Sequence, residues 1–148
     1  REGKNRIKIT KPKFHEETLD FSFSGIKTAI INYCHNMEQK GEEINVGDVA
    51  MSFQDTVVEI LTDNTFLGAK QVGVNQVCLA GGVASNSKLR ESFKNRAQKE
   101  KMQFFCPEPI YCTDNAAMIG AAAYHYYLNK EFSDIDLNAL AFVPIDNA

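Results

Sequence analysis

Gly81 and Gly82 follow a short apolar run, Val77-Cys78-Leu79-Ala80, and precede a segment that turns helical near Ser85 or Asn86. Two residues without β-carbons let the backbone bend sharply and let a ligand come close. A helix that starts just beyond them leaves amide N–H groups unpaired at its first turn. Those donors, with the positive end of the helix dipole, suit an anion such as phosphate. Asn86 adds a carboxamide that both donates and accepts, which serves a ribose or a base edge. A second set of polar residues lies in Cys112-Thr113-Asp114-Asn115. The Asp114 carboxylate is of the type that binds a metal or orients a phosphate-bound cation. Each feature also has a plain structural role: Gly-Gly makes turns, and Ser85 or Asn86, like Thr113 or Asp114, caps a helix.

Other chemistry is harder to assemble. His15 opens His-Glu-Glu-Thr-Leu, which is not the HExxH pattern of zinc proteases. His35 and His125 fall in predicted helices with no second histidine or cysteine three or four residues away. There is no Walker loop, no GxGxxG and no GxSxG elbow. The four cysteines, Cys34, Cys78, Cys106 and Cys112, form no CxxC pair and no zinc spacing. Cys78 and Cys106 lie in predicted strands, where a free cysteine acts as a small hydrophobe. Cysteine usage of this kind points to a reducing, cytoplasmic setting.

The elements that must position these residues follow from periodicity. Arg6 to Thr10 alternates polar and apolar residues and predicts a short edge strand, ended by Pro12. Phe21 and Phe23 share a face, and a helix follows with Ser24 as its N-cap and Gly41 as its end. Val46, Val49, Ala50, Phe53, Val57, Ile60, Leu61 and Leu67 then keep helical spacing, with Gly73 as a C-cap. This broad apolar stripe is expected to pack on a sheet. Two similar units come next. Strand 76–80 leads into a helix with Leu89, Phe93 and Ala97 on one face, and strand 102–106 leads into a small-sided helix from Ala116. Apolar strands separated by a helix predict a parallel pair buried on both faces. A right-handed crossover then brings both turns, hence Gly81-Gly82 and Asp114, to the carboxyl edge where ligands bind in α/β sheets.

The 148 residues, 44% hydrophobic and 24% charged, are ordinary for one globular domain, read as a basic arm (1–19), a core (20–130) and a tail (131–148). No apolar run approaches the roughly 20 residues that span a bilayer. The first ten residues resemble neither a signal peptide nor a natural start, which leads us to expect a portion of a longer protein. The net charge of −3 conceals an asymmetry: residues 1–13 carry a balance of +5 and the rest −8. Such an arm is able to touch RNA phosphates, or to serve as a solvated edge. The acidic bulk argues against a dedicated nucleic-acid module.

Three motifs in order, "DFSFSGIKTA" (20–29), "LAGGVASNSKLR" (79–90) and "CTDNAAMIG" (112–120), closely resemble the tRNA threonylcarbamoyladenosine biosynthesis transferase family, formerly known as O-sialoglycoprotein endopeptidases or glycoproteases. The resemblance runs from about residue 12 to residue 130. It implies an α/β fold: part of an actin-like ATPase lobe of ribonuclease-H-like topology, helix-rich with a short parallel sheet. The segment looks like the last part of the second lobe. The family's His-x-x-x-His metal pair and its phosphate hairpin are absent from these 148 residues. Carried over by motif, Asn86 would contact the nucleotide or adenylate, Gly81 and Gly82 would lie against it, and Asp114 would be a ligand to a divalent iron or zinc. Ser24 and Lys27 also belong to a motif, but a helix start and a surface charge explain them equally well.

The implied chemistry is transfer of threonylcarbamoyl from threonylcarbamoyl-adenylate to an anticodon-adjacent adenosine of tRNA, with other proteins of the same modification pathway as partners and no membrane. Two rivals follow from the same resemblance: a metalloprotease acting on sialylated glycoproteins, and another actin-like kinase of sugars or acetate. A third reading makes the segment a folding or docking module. Alone it is expected to lack transferase activity, to bind ATP weakly or not at all, and to associate into dimers through exposed apolar surface.

Overall fold

The computed structural model describes residues 3–4, 6–9 and 19–142. The chain divides into two compact units, Arg1–Cys112 and Thr113–Ala148.

The first unit opens with α1 (Ser24–Lys40) and α2 (Val46–Val72). Ser24 is the first helical residue of α1 and not its cap. Phe23 holds the cap position, makes no side-chain cap bond, and has its ring stacked on Phe21 with centroids 6.3 Å apart. Gly41 and Gly73 end the two helices as expected, with φ of 67° and 78°. That left-handed conformation costs a residue with a β-carbon about 1–2 kcal/mol, which explains glycine at both stops. Asn45 starts α2 by accepting a hydrogen bond from the Asp48 amide at 3.1 Å.

After α2 come β1 (Gln76–Cys78), α3 (Ser87–Glu100) and β2 (Gln103–Phe105). The strands pair in parallel with Val77 opposite Phe104, so the turns after both leave from the same edge. They are shorter than predicted, and within this unit the pair is packed on one side only. Val77 is buried, whereas Gln76, Cys78, Gln103 and Phe105 are exposed. The expectations of a sheet buried on both faces and of Cys78 as a core hydrophobe are therefore corrected. α2 and α3 cover one face, and among the described residues of this unit no element covers the other.

The core joins Val58, Phe66 and Ala69 of α2 to Leu89, Phe93 and Ala97 of α3 and to Val77. Phe66 meets Phe93 edge-on at 5.6 Å, and Phe93 leans on Phe104 at 6.0 Å. The α3 face is the one its spacing predicted. The α2 face is not. Its buried line runs Asp48, Ser52, Thr56, Val58, Thr62, Phe66 and Ala69, while Val46, Phe53 and Leu67 of the apolar stripe are exposed. Buried polar side chains are tolerable when each finds a partner. Asp48 accepts from the Lys4 amide at 2.6 Å, Ser52 from the Ile7 amide at 3.2 Å, and Thr62 lies 2.9 Å from the Ser92 hydroxyl. Residues 6–9 thus lie along α2 without strand structure, against the predicted edge strand. Pro12 and His15 fall outside the described residues.

An ion-pair cluster fastens the far ends of α2 and α3. Lys70 Nζ stands 2.9 Å from Glu100 Oε2, and Arg96 pairs with both Glu100 and Asp63. The Lys70 hydrogen bond, helped by Arg96, holds the Glu100 carboxyl below its ordinary pKa against the opposing effect of burial. A group whose folded pKa is depressed stabilises above its unfolded pKa and loses that contribution as pH falls through the folded value. Wild type is therefore expected to unfold at higher urea than Glu100→Gln at neutral pH. The gap should close as pH falls through the carboxylate range to about pH 3. A gap that stays constant with pH would show that the carboxylate's charge is not what matters.

The second unit contains α4 (Ala116–Asn129). Its cap is Asn115, which accepts from the Met118 amide at 2.8 Å, and not Thr113 or Asp114. No helix among the described residues is long and apolar enough to cross a membrane.

Candidate functional site

The turn after β1 is built around Gly81, whose φ of 82° and ψ of 174° belong to a region used almost only by glycine. Gly82–Ser85 then forms one 3-10 turn, closed by the Ala84 amide donating to the Gly81 carbonyl at 2.9 Å. Gly82 is different from Gly81. Its φ is ordinary, and a β-carbon added there would meet nothing within 4 Å. The need for glycine at 82 does not arise from crowding by the described chain.

Asn86 joins this turn to α3. Its Oδ1 accepts the Leu89 amide at 3.0 Å, and its Nδ2 donates to Gln54 Oε1 at 3.2 Å. These two bonds fix which way the carboxamide faces. They leave one lone pair on the oxygen and one proton on the nitrogen for another partner. The first amides of α3, Ser87 and Lys88, lie beyond the reach of intrahelical acceptors. Asn86 and Gln54 also line a cavity of about 360 Å³ between α2 and the turn, walled by Phe53, Val57, Leu61, Val83 and Leu89. Gln54 was not legible as a site residue, because a glutamine on a helix carries no local signal of its partner.

The turn after β2 lies beside the first turn. Arg90 reaches from α3 to the Ala84 carbonyl of one and to the Pro107 carbonyl of the other. The parallel strands and this bridge bring the two turns to one edge, as their pattern predicted. Burial pushes the Cys106 thiol up from its ordinary pKa, which keeps it protonated and a weak nucleophile at neutral pH.

Asp114 belongs to the second unit, is exposed, and finds no partner for its carboxylate among the described residues. No group of three His, Cys, Asp or Glu side chains able to hold a metal ion is present among the described residues. One carboxylate falls short of the three protein ligands of a catalytic zinc site. A metal held by the described residues alone does not fit.

Comparison with known proteins gives a consistent answer. The family model for tRNA N6-adenosine threonylcarbamoyltransferase matches residues 1–121. A protein of that name from Clostridium perfringens is 52% identical over 133 residues, covering 90% of this chain and 39% of the relative. One from Clostridium kluyveri is 50% identical over 142 residues, covering 95% of this chain and 42% of the relative. One from Clostridium botulinum is 50% identical over 134 residues, with 90% and 39% covered. The chain thus spans about two fifths of the length of these relatives. On the family match and these identities, the chain belongs to the tRNA N6-adenosine threonylcarbamoyltransferase family.

Proposed function

We propose that this chain supplies the nucleotide-facing turn and one metal ligand of a transferase that moves threonylcarbamoyl from its adenylate to an anticodon-adjacent adenosine of tRNA. The observation that carries the reading is the turn itself. Gly81 sets its bend, Gly82 keeps a face clear of side chain, and Asn86 is held with one donor and one acceptor to spare. Oriented amides around such a turn stabilise charge on a phosphate leaving group, here the departing AMP. Asp114 would be one ligand to an iron or zinc ion whose remaining ligands come from outside the described residues. When bound, that ion would hold and polarise the carbamoyl group. The lobe would be actin-like, the setting cytoplasmic, and the partners other proteins of the pathway.

Taken alone, these 148 residues act as a folding or docking module and do not carry out transfer. Between α1 and α2 runs an apolar groove of about 610 Å³ with Phe23, Ile31, Val46 and Phe53 at its walls, which supports self-association of the isolated chain. The test is threonylcarbamoyl transfer to tRNA, compared between the isolated chain and a complete family transferase that carries it. Transfer by the complete protein and none by the chain is the expected result. Failure of the complete protein to transfer would end the reading, and cleavage of a sialylated glycoprotein or phosphorylation of a sugar would put a rival in its place.

A further inference from the structure

Arg90 sits in the first turn of α3, where a cation opposes the helix dipole. A guanidinium beside a glycine turn invites a role as a phosphate ligand. Its hydrogen bonds point elsewhere. Nε donates to the Ala84 carbonyl at 2.5 Å, and Nη2 donates to the Pro107 carbonyl and lies 3.2 Å from Cys112 Sγ. Ala84 is fully buried and Cys112 nearly so, at 0% and 4% exposure. The three partners are 6, 17 and 22 residues away in sequence. They belong to the two separate turns that leave the carboxyl edge of the parallel pair.

We infer that Arg90 is a positioning residue that staples the Gly82–Ser85 turn to the 107–112 loop and so fixes the shape of the nucleotide-facing edge without touching the nucleotide. The planar guanidinium suits this task because its donors form a rigid fork able to serve two carbonyls at once. Lysine, a single point charge on a flexible stem, cannot reproduce the span. The fixed spacing matters because amides that stabilise a leaving group act only when held in place before the reaction. This functional consequence rests on the reading of the turn given above; the staple itself does not.

The test has one arm independent of activity. In the 148-residue chain, Arg90→Ala should raise hydrogen exchange in residues 82–86 and in 107–112 together, by about tenfold or more. The Cys112 thiol should react faster with a disulfide reagent by a similar factor, while Cys34 in α1 keeps its wild-type rate. Arg90→Lys should recover these changes only in part, and it decides the matter on the same criteria if the alanine variant does not fold. In a complete transferase, Arg90→Ala should lower kcat by about tenfold or more with KM for tRNA unchanged. Wild-type exchange and labelling in Arg90→Ala would overturn the staple, as would full recovery by lysine. A rise in KM for tRNA at constant kcat would overturn it too, by making Arg90 a contact to the nucleic acid. If wild type shows no transfer, the exchange and labelling arm still decides the staple, and only the functional reading falls.

Discussion

Asp114→Ala in a complete family transferase that carries this sequence should reduce threonylcarbamoyl transfer by about 100-fold or more, and bound metal should fall with it. Loss of an outer-shell partner alone typically costs about 10–100-fold, so loss of a direct ligand should reach or pass the top of that range. The structure makes the experiment clean. Asp114 is exposed, and the cap of α4 belongs to Asn115 through its 2.8 Å bond to the Met118 amide. The alanine variant therefore removes neither core contacts nor a helix cap, and its far-UV circular dichroism should match wild type. Asp114→Asn keeps the shape, removes the charge, and should resemble alanine in metal content. Unchanged activity and metal in Asp114→Ala would reduce the residue to a solvent-facing carboxylate and remove it from the site.

The second large effect is on stability. Phe66 is fully buried, at 0% exposure, and packs edge-on against Phe93, which in turn touches Phe104 of β2. Truncating it opens a cavity where α2, α3 and the sheet meet. Phe→Ala changes of this kind cost about 3–5 kcal/mol, against a total stability of about 5–15 kcal/mol for a typical domain. Urea unfolding of Phe66→Ala should show a midpoint far below wild type, or no folded baseline at all. Phe66→Leu should recover most of the loss because it refills much of the volume. A shift of under about 1 kcal/mol for the alanine variant would mean that the three elements do not share one core.

What could be read from the sequence divides along physical lines. The stops of α1 and α2 were legible because Gly41 and Gly73 occupy left-handed backbone that other residues avoid. The ends of α3 and α4 adopt the same conformation with Lys101 and Lys130, which advertise nothing. The α3 face was legible because its buried residues are apolar. The α2 face was not, since Asp48, Ser52, Thr56 and Thr62 are buried with their hydrogen bonds satisfied and look like a solvated stripe to any hydropathy count. At the candidate site, Gly81, Gly82 and Asn86 stand at one sheet edge, as their spacing indicated. Gln54 and Arg90 were missed. Arg90 did leave a trace, a cation at the wrong end of a helix, whereas the bond from Asn86 to Gln54 spans 32 residues and no local pattern encodes it.

The way Lys4 and Ile7 meet α2 has a consequence for how their neighbours can vary. Asp48 and Ser52 grip Lys4 and Ile7 by their backbone amides, and the Arg6 side chain, 64% exposed, reaches Asp48 only at 3.9 Å. These two hydrogen bonds read the backbone and not the charged side chains of Lys4 and Arg6. The charges of Lys4 and Arg6 are thus free to be lost or moved to suit whatever lies outside them, while the bonds to Asp48 and Ser52 need only the N–H groups of residues 4 and 7. Proline at position 4 or 7 would remove a donated N–H, and any side chain at Gly3 would drive its β-carbon into the Gly47 carbonyl oxygen.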